Sequence, residues 1–86
     1  MNKKARKRVL KMYMGVPWTY EFIPSDGGFF VNVKELPGCM SQGDDLEHAW
    51  FMIRDALKWW LKETIKSKEW QAGLVEIPMP PLENFG

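Results

Sequence analysis

Eighty-six residues allow one small domain with a marginal core, and five tryptophans with five phenylalanines supply the ring area that offsets this. A single cysteine excludes an intrachain disulfide and fits a reducing, cytoplasmic setting, the longest apolar run (Ala49-Trp50-Phe51-Met52-Ile53) is too short for a membrane span, and the basic N-terminus lacks the apolar region of a signal peptide. The net charge of +1 conceals an asymmetry, since Lys3, Lys4, Arg6, Lys7, Arg8 and Lys11 give residues 1–16 six cations and no acid, whereas residues 17–86 carry six basic and eleven acidic side chains; a basic arm suits nucleic acid and an acidic body suits a basic protein.

Residues 2–14 read as an amphipathic helix. Ala5, Val9, Met12 and Val16 follow the helical period with Leu10 and Tyr13 alongside, and Gly15 followed by Pro17 is a stop signal. This segment is either a nucleic-acid arm or a helix that packs its apolar stripe on the domain or on a neighbouring subunit. The continuity of the stripe favours packing.

Trp18 to Ile23 reads as a strand, with Trp18, Tyr20 and Phe22 on one face and Pro24 as its end. Ser25-Asp26-Gly27-Gly28 is a turn. Phe29 to Lys34 is the return strand, with Phe29, Val31 and Val33 on one face. Pro37-Gly38 turns the chain again, and Cys39 to Gln42 can add a third antiparallel strand.

A long helix from Leu46 to Lys66 is the strongest periodic signal. Leu46, Ala49, Trp50, Ile53, Leu57, Trp60 and Leu61 form a broad apolar face that should cover the sheet. Asp44 as N-cap puts Glu47 at the third helical position, a capping box; Asp45 as N-cap puts His48 there. Met52 and Trp59 lie within about 20° of each other, outside the core face, and Phe51 is isolated on the polar side. These three are the expected partner or oligomer contacts, in at least a homodimer. Ser67 to Gly73 ends the helix, Leu74 to Ile77 can form a short edge strand, and Pro78, Pro80 and Pro81 forbid further ladder pairing.

The expected fold is α+β: a small antiparallel sheet of three to four strands under one long helix, preceded by an accessory helix. Its parts are a basic helix over 1–16, a domain over 17–80 and a tail over 81–86. Catalytic chemistry is not expected. His48 has no second histidine for a zinc cluster. Cys39 lies in a strand-like run where an inert buried thiol is the common case. Capping accounts for Asp44, Asp45 and Glu47 without a metal, and Gly27, Gly28 and Gly43 make no phosphate loop.

The order Leu36-Pro37-Gly38-Cys39, Ser41-Gln42-Gly43-Asp44, Leu46-Glu47 and Ala49 resembles the signature of the HicB-like antitoxins. Asp26-Gly27-Gly28-Phe29-Phe30-Val31 before it and Ile77-Pro78-Met79-Pro80 after it extend the resemblance from Trp18 to Pro80. Asp45 stands where that family usually has a threonine cap, and His48 where a glutamate is common. The resemblance implies a prokaryotic protein with a partial ribonuclease H-like fold and no cofactor. It also implies a partner, a small basic RNA-cleaving toxin whose RNA site is occluded without chemistry by the antitoxin. Many members continue into a DNA-binding domain, whereas this sequence ends at Gly86, so DNA binding through this chain alone is not expected. A different reading is an orphan homo-oligomeric module with no toxin; a small hydrolase ranks last.

Overall fold

The computed structural model describes residues 1–80; the expected tail, 81–86, lies outside them. Asn2 starts the first helix, α1 (Lys3–Met14), by accepting the Ala5 N–H at 2.8 Å. Gly15 closes it, returning its N–H to the carbonyls of Met12 and Tyr13. Two further groups fill carbonyls at this end. The Trp18 indole N–H donates to the Tyr13 carbonyl at 2.9 Å, and Arg54 donates to the Met14 carbonyl at 3.2 Å.

Three strands follow: β1 (Tyr20–Ser25), β2 (Gly28–Val33) and β3 (Met40–Gly43). They form one antiparallel sheet in the order β1-β2-β3. β1 starts and ends two residues later than alternation predicts and includes Pro24, which pairs with Phe29. Proline is tolerated there because β1 is an edge strand, where a missing N–H leaves no neighbour unpaired. Gly27 supplies the positive φ, 79°, that the tight turn needs. In β2 the expected alternation holds, with Val31 and Val33 buried and Phe29 half-buried. Cys39 falls one residue before β3 instead of opening it, but its carbonyl accepts the Val33 N–H at 2.9 Å.

The long helix α2 (Leu46–Lys66) has the predicted bounds. Ala49, Ile53, Leu57, Leu61 and Ile65 are buried and join Val31, Val33, Leu36 and Trp18 in the core. Steps of four residues drift by about 40° around the helix, so the buried line turns from the sheet toward α1. Leu46 and Trp50, expected on the core face, are exposed. Leu46 sits in the first turn, before the buried line begins. Trp50 lies beside that line, its ring edge-on to Tyr20 at 4.8 Å.

α1 runs antiparallel along α2. Met14 meets Arg54, while Lys3, Arg6, Lys7 and Leu10 face Lys62, Ile65 and Lys66. Val9, Leu10, Tyr13 and Met14 pack against the core. Met12, expected in this stripe, is exposed, because it is turned about 160° from Leu10.

The fourth strand does not form among the described residues. Instead Ser67 caps a short helix, α3 (Lys68–Gln71), and Gly73 reverses the chain at φ 78°. Leu74 and Val75 are exposed, and the segment is held by the buried Ile77 and Pro80 instead of a ladder. Pro78 and Pro80 lack the donors a ladder needs. The N-terminal link is tied by Glu35, whose Oε1 accepts the Thr19 N–H at 2.9 Å. Burial pushes the Glu35 carboxyl up, but hydrogen bonds from Thr19 and its own backbone, with Lys34 nearby, outweigh this and hold it below the usual range.

Candidate protein-binding site

At the N-terminus of α2 the cap is Asp45. Its Oδ1 accepts the His48 N–H at 2.7 Å. His48 occupies the third helical position and reaches back, its Nδ1 accepting the Asp44 N–H at 3.0 Å. The pair resembles a capping box with histidine in place of glutamate, except that the side chain at the third position accepts from the residue before the cap instead of from the cap itself. The Asp44 carboxylate is not the cap, and lies 3.7 Å from the His48 Nδ1. Glu47 stands in the first turn, at the positive end of the helix dipole. Asp45→Ala should therefore cost about 1 kcal/mol, whereas Asp44→Ala should stay within about 0.5 kcal/mol. Urea denaturation of the two single variants checks this, and equal losses would mean that the two aspartates share the cap.

The same corner is held by three residues without bulk. A Cβ on Gly28 would lie 2.2 Å from the Gly43 carbonyl oxygen, and one on Gly43 would lie 2.3 Å from the Ala49 nitrogen. The hairpin, the end of β3 and the first turn of α2 are thus in backbone contact. This contact fixes the sheet against the helix and leaves the opposite sheet face turned to solvent.

That outer face carries the largest uncovered apolar surface on the strands. Ile23 pairs with Phe30 across β1 and β2, and Met40 pairs with Asn32 across β2 and β3. Ile23, Phe30 and Met40 are 55%, 51% and 64% exposed. With Glu21, Asn32 and Gln42 they line a shallow depression of about 600 Å³. Glu21 accepts the Asn32 amide at 3.0 Å, so the polar rim is ordered. Asp26, Asp44 and Asp45 are exposed at the hairpin end of the sheet, and no cation lines the depression. An apolar centre with a polar rim is the anatomy of a protein-binding surface.

Strand alternation places Ile23 outward, but not Phe30 or Met40 beside it. Their alignment depends on the pairing register, which one sequence does not give. The available signal was an aromatic and an isoleucine on the side of a hairpin that water would otherwise cover.

The helix residues expected at an interface are separated. Phe51 is 69% exposed on α2. Trp59 is also exposed, with the Lys62 Nζ 5.1 Å from its ring centroid. Met52 is half-buried against the hairpin turn, in a depression shared with Gly27, Gly28 and His48. Of the basic residues in α1, Lys3, Arg6 and Lys7 line a groove with Lys62 and Lys66, whereas Lys4, Arg8 and Lys11 are exposed outside it.

Cys39 is buried, and burial pushes its thiol up to about 11, so it is protonated near neutral pH and unsuited to nucleophilic attack. Among the described residues, no three His, Cys, Asp or Glu side chains converge to hold a metal ion. None of the described helices is long and apolar enough to cross a membrane.

Compared with known families, residues 21–79 match the one described as HicB_like antitoxin of bacterial toxin-antitoxin system. No curated protein and no solved structure matches the chain.

Proposed function

The chain belongs to the HicB-like antitoxin family, and from that premise we propose that it binds a small, basic, RNA-cleaving toxin and occludes its RNA site without chemistry of its own. The observation that carries this reading is the uncovered outer face of the sheet, with Ile23, Phe30 and Met40 at its centre. Burying three such side chains supplies the apolar part of a contact. Glu21 on the face and Asp26, Asp44 and Asp45 at its end supply charge opposite to that of a basic partner. Complementary charge raises the encounter rate and excludes acidic partners. Lysines and arginines that would grip RNA phosphates in the toxin would meet carboxylates instead.

The test is co-expression with the product of the adjacent open reading frame, followed by affinity capture of the pair and an RNA-cleavage assay. The toxin is expected to co-purify and to lose RNA cleavage while the complex persists. Failure of the two proteins to associate would remove the proposal.

A second reading, self-association without a toxin, rests on the exposure of Phe51 and Trp59 on α2. Light scattering of the free chain at micromolar concentration separates the two, since a monomer leaves this second reading without support.

A further inference from the structure

The groove between α1 and α2 brings together charges that are far apart in the sequence. Lys3, Arg6 and Lys7 line it from α1, and Lys62 and Lys66 from α2, over a floor formed by Leu10 and Ile65. Its volume is about 130 Å³. No acid lines the groove, and among the described residues none of the five cations lies within 4.0 Å of a carboxylate. Lys3 and Lys7 are one helical turn apart, as are Lys62 and Lys66, so two rows of positive charge run along antiparallel helices.

Two features show that stability alone does not account for this arrangement. The first turn of α1 holds no acid and begins with Lys3 and Lys4, although cations are disfavoured at the positive end of a helix dipole. The five charges also repel one another across the groove. Beside it, Lys62 reaches over the Trp59 ring at 5.1 Å. At 100° per residue, Trp59, Lys62 and Lys66 share one strip of α2 within about 60°. Trp59 itself lies just outside the groove, in a neighbouring depression with Met40, Ala56, Trp60 and Glu63, and Lys62 links the two.

We propose that this groove binds single-stranded nucleic acid, with its phosphodiester backbone along the two rows of cations and a base stacked on Trp59. A cationic track with an aromatic platform is the usual chemistry of single-strand binding. The groove is recessed between two helices, so neither projects as a reading helix would into the major groove of a duplex. An acidic polypeptide would satisfy the charges, but its Asp and Glu side chains carry no aromatic ring to stack on Trp59. The site is separate from the sheet face, so it does not depend on toxin binding.

Fluorescence anisotropy of the full chain with labelled oligo-dT and oligo-rU of about 16 nucleotides tests this. Titrations at about 50 and 200 mM salt give the salt slope. The expected slope of log affinity against log salt is about −3.5 for five neutralised phosphates on a single strand. Lys7→Glu/Lys62→Glu should lower affinity at least tenfold, with an unchanged circular dichroism spectrum. Lys34→Glu, outside the groove, should change affinity less than twofold. Trp59→Ala should lower affinity severalfold while leaving the slope in place. Binding by either oligonucleotide supports the proposal, and the tighter of the two identifies the sugar.

Absence of binding at the lower salt would overturn it, as would equal losses in the groove and Lys34 variants. Equal affinity for a duplex or for polyglutamate would show a ligand of another class, and full affinity in Trp59→Ala would remove the single-strand assignment.

Discussion

Gly43→Ala is expected to remove more than half of the stability of the fold, about 3 kcal/mol. The added Cβ would meet the Ala49 nitrogen at 2.3 Å and its Cα at 2.6 Å, and both are backbone atoms that no rotamer change can move. Relief requires β3 and α2 to separate, opening the sheet–helix layer where Val31, Ile53 and Leu57 are buried. Overpacking of this kind costs about 3 kcal/mol at the upper end of its usual range. Small domains have few kcal/mol to lose, with about 5 at the lower end of ordinary stabilities. Gly28→Ala should behave similarly, because its Cβ would meet the Gly43 carbonyl oxygen at 2.2 Å. Urea denaturation followed by tryptophan fluorescence measures both, and a wild-type midpoint for Gly43→Ala would contradict the close backbone contact.

Deletion of residues 2–14 is expected to cost more, by a different route. It removes the half-buried Val9, Leu10, Tyr13 and Met14 and uncovers the side of Ile65 that α1 packs upon. It also leaves the Trp18 indole N–H and the Arg54 guanidinium without the carbonyls they donate to. Partial burial of four such side chains is worth about 4 kcal/mol by apolar area, before the two lost hydrogen bonds at about 1 kcal/mol each. The deletion should therefore unfold near or below physiological temperature. If it keeps the full chain's denaturation midpoint, α1 is a free arm and not a packed helix.

These two expectations rest on different levels of legibility. The long helix was readable because its apolar spacing persists from Ala49 to Leu61 and acidic and glycine residues mark its start. The hairpin was readable because Asp26-Gly27 sits between alternating segments. The possible fourth strand does not form because Leu74 to Ile77 has strand composition, yet the prolines after it leave side-chain packing as the only anchor. The choice between Asp44 and Asp45 was open for a similar reason, since both can cap and only the backbone at Asp45 selects one.

The site was less legible than the fold. Met52 and Trp59 share an angular position on α2, but angular position does not say what lies beside a helix. The hairpin turn covers Met52 and leaves Trp59 open, a tertiary fact with no local signature. The outer sheet face needed the register of three strands. The cationic groove needed α1 to dock antiparallel on α2, which places Lys7 near Lys62 across most of the chain. Charge counting located the cations of α1 but gave no reason to add those of α2.

Toxin neutralisation through the outer sheet face is tested most directly by substitution at its centre. Phe30→Lys replaces an exposed ring with a cation in the middle of the face, away from the core residues Val31 and Val33 on the opposite side. Phe51→Lys makes the same chemical change on the exposed side of α2. The measurement is growth of cells co-expressing the toxin captured in the co-expression test with each variant, at matched soluble protein levels. Phe30→Lys is expected to fail to restore growth, while Phe51→Lys restores it as the unaltered chain does. Full protection by Phe30→Lys, or its loss with Phe51→Lys alone, would contradict the assignment of the sheet face as the surface that engages the toxin.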